Sequence, residues 1–285
     1  MTRKILFPGF IGLGLMIMTL AIVSSCKKKD DTTPPDTSVL GCMNSTALNF
    51  NALATKDDGS CLIPEVKHRS ILLDFTATWC SPCGADGIPM FEAAIASNAN
   101  EVVPMGCHNA DEMSNPTSED ILTYYNPSGI PTLVAGTYFD VWGATMINNA
   151  IANTNAIAPI ANATGIMTNS GSAITVKTQT KFFSATSGNY YLAIYFVENG
   201  LVYHQNSATP DPYTHKHVLR GVAKGSAFGD LIASGNITEG TLINKDFTYT
   251  AGAGWNMANV YIALVIWKST GSNWTFVNAW QSKAN

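Results

Sequence analysis

Trp79-Cys80-Ser81-Pro82-Cys83 stands between an apolar run, Ile71-Leu72-Leu73-Asp74-Phe75, and the helical spacing of Ile88, Phe91 and Ile95. No other stretch constrains the fold as much. Two cysteines separated by two residues can close a small disulfide ring at the start of a helix. There the partial positive charge of the helix N-terminus stabilises a thiolate, so the first cysteine becomes a nucleophile near neutral pH. The same spacing is half a zinc site. A zinc site needs a second Cys or His pair at ligand spacing, and the nearby candidates, Cys107 and His108, are adjacent. No metal is expected.

Residues 71–83 resemble the active-site strand and turn of the thioredoxin superfamily. Asp74 lies six residues before Cys80, where that family keeps a buried acid, and Gly129-Ile130-Pro131-Thr132 resembles its cis-proline loop. The resemblance covers residues 66–157. It implies an α/β thioredoxin-like domain in which Cys80 attacks a substrate disulfide and Cys83 resolves the mixed disulfide. It implies further that Asp74 accepts the Cys83 proton through a water, that Ile130 and Pro131 hold the substrate backbone, and that Trp79 covers the pair. No dissociable cofactor is needed. The sequence departs from the pattern in three places. Pro89 stands one position late, Gly84 and Gly87 weaken the first helical turn, and Ser-Pro replaces Gly-Pro between the cysteines. A purely structural disulfide is the competing reading of the pair.

The N-terminus carries an address. Arg3 and Lys4 precede an apolar segment, Ile5 to Val23, and Val23-Ser24-Ser25-Cys26 resembles a bacterial lipobox. Residues 1–25 read as a lipoprotein signal peptide, with lipid placed on Cys26. The rival is a membrane-spanning helix; a cysteine at the end of the run favours the lipid, which anchors without spanning. Residues 26–40 form a lipid-anchored linker. Its Lys27-Lys28-Lys29-Asp30-Asp31 resembles the surface-export signal of Bacteroidota lipoproteins, and the stretch from Thr32 to Leu40, with Pro34 and Pro35, is polar and extended. The expected location is the outer membrane, on the cell surface. Loss of Arg3 and Lys4 takes the formal charge from −4 to −6. With no basic patch, nucleic acid is not an expected partner.

Cys42 and Cys61 bound a small module, residues 41–62, rich in turn residues and poor in apolar ones. It resembles a short cysteine-bounded repeat of Bacteroidota surface proteins. A disulfide closing this loop contributes about 3 kcal/mol, and so short a segment folds poorly without one. Asp57-Asp58-Gly59 is a turn rather than a calcium loop, since regular oxygen ligands are missing. Cys107 is left over and reads as a small buried thiol at a strand end rather than a nucleophile. An oxidising, extracytoplasmic compartment is implied.

Residues 66–157 alternate strand and helix: strands at 71–76, 101–105 and 131–139, helices through 88–95, from 118 to 125, and around 146–151. From residue 160 the period changes to two. Strands are expected at 174–178, 190–197, 201–205, 217–222, 247–250, 260–267 and 276–280, with Glu198-Asn199-Gly200 as a hairpin turn. The pattern suggests an all-β, immunoglobulin-like sandwich over residues 160–285. Glu198-Asn199-Gly200, Gln205, the run His215 to Gly221 and Val277-Asn278-Ala279 resemble the Bacteroidota twenty-eight-kilodalton outer-membrane protein family over residues 190–280. That family joins a thioredoxin-like domain to such a β-domain. His215 and His217 would share one face of a regular strand, with His204 as a third ligand, but no carboxylate at ligand spacing supports a metal. Trp255, Trp274 and Trp280 read as core before they read as a ligand platform.

Two functions are compatible with these residues. The leading one is a lipid-anchored thiol–disulfide oxidoreductase whose partners are extracytoplasmic protein thiols and disulfides, held to the membrane by its N-terminal lipid. The alternative is a surface-exposed binding or adhesion lipoprotein that uses the fold as a scaffold.

Overall fold

A strand covered on both faces needs apolar side chains in both directions. Strand β1 (Ser70–Thr76) has them, and all seven of its residues are buried. The computed structural model describes residues 37–282, so the signal segment, Cys26 and most of the linker lie outside the described residues. After β1 come α1 (Ile88–Ser97), β2 (Val102–His108), α2 (Pro116–Tyr125), β3 (Thr132–Ala135), β4 (Tyr138–Phe139) and α3 (Ala144–Asn155). Helix α2 starts two residues before the expected Ser118. The reason is a capping box: the Asn115 side chain accepts from the N–H groups of Thr117 and Ser118, and Ser118 Oγ accepts from Asn115 N–H. The expected strand 131–139 is two strands, because Gly136, at φ +61°, turns the chain between them.

The second half supplies β5 (Ala161–Ser170), β6 (Ala173–Phe182), β7 (Asn189–Glu198), β8 (Leu201–Tyr203), β9 (Tyr213–His215), β10 (Val218–Val222), β11 (Asp230–Ala233), β12 (Leu242–Thr250), β13 (Val260–Ser269) and β14 (Trp274–Gln281). The fold is β-rich. One nine-stranded sheet runs β14-β13-β7-β10-β2-β1-β3-β4, with β11 added to β7. Strands from the two halves thus meet inside one sheet. Parallel β10 and β2 form the junction, where Val218 lies opposite Gly106 and Gly106 N–H donates to His217 O at 2.7 Å. The change of period near residue 160 suggests two separate domains, yet the sheet runs across that border.

Alternation along the strands divides the core. Ile71, Leu73 and Phe75 share one face with Tyr195, Val197 and Trp267, beneath Ile121 of α2. On the opposite face, Leu72 packs with Phe91 of α1 and Ile147 and Ile151 of α3. Farther along, Ile194 and Leu264 pack against Val176 and Phe247 of a second, three-stranded layer ordered β12-β6-β5. This layer is the sandwich-like part of the molecule. The small module is closed by Cys42–Cys61 and reaches the second layer where Gln179 Nε2 donates to Thr46 O at 2.9 Å.

The expected hairpin over 190–205 does not form. Strand β7 is already paired with β13 on one side and with β10 and β11 on the other. Past Gly200, β8 therefore leaves the sheet and pairs with β9, and their connecting loop reaches the Cys80 turn.

Candidate functional site

Cys80 and Cys83 form a disulfide at the end of β1. Cys83 N–H points at Cys80 Sγ at 3.2 Å. Both are buried, Cys83 fully and Cys80 with 4% of its surface exposed, so Cys80 is the less enclosed of the two. Cys83–Gly87 winds as a single π-type turn, with Pro82 before it, and leads into α1. The Ile130–Pro131 peptide is cis, and Ile130 O lies 3.6 Å from Cys80 Sγ. Gly87 is where Pro131 packs: a Cβ there would lie 2.8 Å from Pro131 Cβ. Trp79 is half exposed beside the pair, and its Nε1 donates to Asn109 O at 3.2 Å. The strand–turn–helix thus holds Trp79, Cys80 and Cys83 together, and the pairing of β1 with β3 brings Ile130 and Pro131 to them.

Asp74 lies on the α1 face of β1 with its side chain buried and, among the described residues, no partner for its Oδ1. Burial raises its carboxyl to about 7. Cys107 is a buried free thiol on β2. Burial and the nearby Asp74 carboxyl push it far above its ordinary range, which leaves it inert.

The residues that sequence reasoning missed come from the β8–β9 loop. Asn206 N–H donates to Thr78 O at 2.8 Å and Asn206 Nδ2 to Trp79 O at 2.7 Å. Gln205 Nε2 donates to Ala77 O at 3.1 Å and Cys80 O at 3.2 Å. This loop also explains Gly84, since a Cβ there would collide with Asn206 O. From the other side, Asp111 Oδ2 accepts from Thr78 N–H at 2.9 Å and lies 2.7 Å from His108 Nδ1. Burial alone would raise the Asp111 carboxyl. Its bonds from His108, Thr78 and Met113 outweigh that and hold it below the usual range. Trp79, Glu112, His204 and Asn206 wall an open cleft of about 620 Å³ next to the disulfide.

The histidines do not share a face. His217 adopts φ +56°, which breaks the strand before β10, and its Nδ1 lies 2.8 Å from Tyr261 OH. His204 is exposed and pairs with Asp211 at 2.7 Å. His215 is buried edge-on against His108, their ring centres 5.3 Å apart. Among the described residues, no three His, Cys, Asp or Glu side chains gather as metal ligands do. The tryptophans form no platform. Trp274 stacks on Phe228 on one face of the sheet, while Trp255 and Trp280 pack on the other.

These features define a β-rich protein with a disulfide at a helix start, facing a cis-proline. The chain belongs to the outer membrane protein Omp28 family, whose profile matches residues 119–284, and its location is the outer membrane. The match opens inside α2 and includes Pro131 but not the cysteine pair. HBP35 of Porphyromonas gingivalis has a similar fold, with a TM-score of 0.64 at 17% identity over 78% of this chain and 77% of that one. A domain of the outer membrane lipoprotein Omp28 from the same organism aligns at 16% identity over 45% of this chain and 89% of that one, with a TM-score of 0.29. No curated protein matches the chain.

Proposed function

We propose that this outer-membrane protein is a lipid-anchored thiol–disulfide oxidoreductase, with residues 66–157 as its thioredoxin-like part. The observation that carries the reading is the Cys80–Cys83 disulfide beside the cis Ile130–Pro131 peptide, with the outer sulfur 3.6 Å from Ile130 O. The strand order β2-β1-β3-β4, with α1 and α3 on one face and α2 on the other, supports it.

In the reduced protein the Cys80 thiolate attacks one sulfur of a protein disulfide, and the other substrate sulfur leaves as a thiolate. The Cys83 thiol gives its proton to Asp74, and its sulfur attacks Cys80 Sγ. The bond from Cys80 to the substrate breaks, the second substrate thiolate leaves, and the Cys80–Cys83 bond forms. The substrate gains two electrons and the pair loses two. Run backwards, the same steps place a disulfide in a substrate dithiol. The cis Ile130–Pro131 loop and Trp79 supply the surface on which the substrate backbone lies. Lipid on Cys26 holds the protein at the membrane.

A second reading, a surface binding lipoprotein, draws on one observation: the family match of residues 119–284 excludes both cysteines. Trapping decides between them. In cells, Cys83→Ser is expected to accumulate mixed disulfides through Cys80, visible as adducts on non-reducing gels, and Cys80→Ser to accumulate none. If Cys83→Ser captures no partner and the wild-type pair does not exchange with glutathione, the binding reading replaces the redox one.

A further inference from the structure

Between β1 and the first turns of α1 lies a small cavity of about 20 Å³. That volume admits a water molecule. Asp74 and Thr76 of β1, His108 of β2, Glu92 of α1, and Tyr213, His215 and Lys216 of the second half line it. Three of these residues carry a buried polar atom with no partner among the described residues: Asp74 Oδ1, Thr76 Oγ1 and His215 Nε2. Their residues are 2%, 3% and 3% exposed. Three residues with unpaired polar atoms lining one water-sized space are what a buried water satisfies.

We propose that Thr76 and His215 hold one water against the Asp74 carboxylate, and that this water sets the pH at which the carboxyl takes up and releases its proton. The hydrogen-bond accounting closes. His215 accepts at Nε2 when its proton sits on the other nitrogen, on the side where the Tyr203 backbone favours a donor. Burial, then repulsion from His108, pulls His215 down to about 4, so the ring is neutral at pH 7. The water donates to Asp74 Oδ1 and to His215 Nε2 and accepts from the Thr76 hydroxyl. Donation to Asp74 favours its charged form. His215 is then a positioning residue, supplied to the first half's acid by the second half. The other charged or titratable groups around this space are Glu92 and Lys216, which pair with each other at 3.4 Å, His108, held by Asp111, Tyr213, which burial keeps a neutral phenol, and Cys107, which stays a neutral thiol.

The use of Asp74 in resolving mixed disulfides rests on the proposed redox function; the water and the titration do not. The test follows the Asp74 side-chain carboxyl by carbon-13 NMR across pH in the oxidised full-length protein. His215→Leu removes the acceptor and the water's anchor, and is expected to move the Asp74 midpoint up by about one pH unit. Thr76→Val is expected to move it the same way. His215→Gln keeps an acceptor at the same reach and is expected to restore the wild-type midpoint. A folded His215→Leu or Thr76→Val protein with an unmoved midpoint overturns the proposal, and so does a His215→Gln midpoint equal to that of His215→Leu. The pH profile of mixed-disulfide resolution is expected to shift with the NMR midpoint. If the wild type resolves none at any pH, the redox reading fails, while the NMR arm still decides the water.

Discussion

At the residue scale, the buried acid is where folding is costly. Asp74 titrates at 3.8 when unfolded and at about 7 when folded, with burial as the cause. Between those pH values the folded chain binds a proton that the unfolded chain has released. Stability therefore falls as pH rises through this window and stays low above it. At about 1.4 kcal/mol per pH unit, the penalty at pH 8 approaches about 4 kcal/mol as an upper limit. Asp74→Asn removes the charge at similar size. It is expected to raise the unfolding free energy by about 2–4 kcal/mol at pH 8 and to change it little at pH 4. Urea unfolding at the two pH values checks this, and equal effects at both would exclude the desolvated carboxyl as the cause. A chain that keeps so costly a group uses it, which supports assigning Asp74 the Cys83 proton.

At the element scale, the β8–β9 loop holds the Cys80 turn by its carbonyls. Gln205 is 1% exposed and bonds two of them. Gln205→Leu leaves the carbonyls of Ala77 and Cys80 buried without this donor, at an expected cost of about 2 kcal/mol in unfolding free energy. It should also raise the alkylation rate of reduced Cys80, because the turn that shields its sulfur loosens. Thermal melts and timed alkylation read the two effects. A melt shift with no change in alkylation would make Gln205 a packing residue only. Part of this site was legible: Cys80, Cys83 and Asp74 sit on one strand–turn–helix, and the resemblance to the thioredoxin superfamily pointed to Asp74 as its acid and to the Pro131 loop, which arrives about 50 residues later. Gln205, Asn206 and His215 arrive from more than 120 residues away along the chain, and no local period announces such docking. The expected 190–205 hairpin failed for a related reason. A turn signal reports that the chain reverses, but not that both edges of β7 are already occupied by strands from elsewhere.

At the scale of the whole molecule, two periods in the sequence suggest two domains, and the structure joins them in one sheet. The junction is more than the single pairing of β10 with β2. Asn278, fully buried on β14, donates to Lys67 O at 2.8 Å and Ala161 O at 2.9 Å and accepts from Arg69 N–H at 2.9 Å. Asn162 on β5 donates to Glu65 O and Lys67 O. One apolar cluster contains Phe75 and Met105 together with Tyr195 and Trp267. Cutting the chain between residues 157 and 160 would bare the β2 and β10 edges and open that cluster to water, and exposed edges of this kind pair with other chains. Residues 66–157 alone are therefore expected to aggregate or to give a poorly dispersed NMR spectrum. The two segments expressed together are expected to reassemble, because the sheet needs strand pairing and not the connecting peptide. The full chain should unfold in one transition, with probes in the two halves reporting the same midpoint. A residue 66–157 fragment that unfolds cooperatively as a monomer, or a full chain whose halves melt apart, would show that the cysteine-bearing half is autonomous. It would then have no need of Gln205 or His215 from the second half.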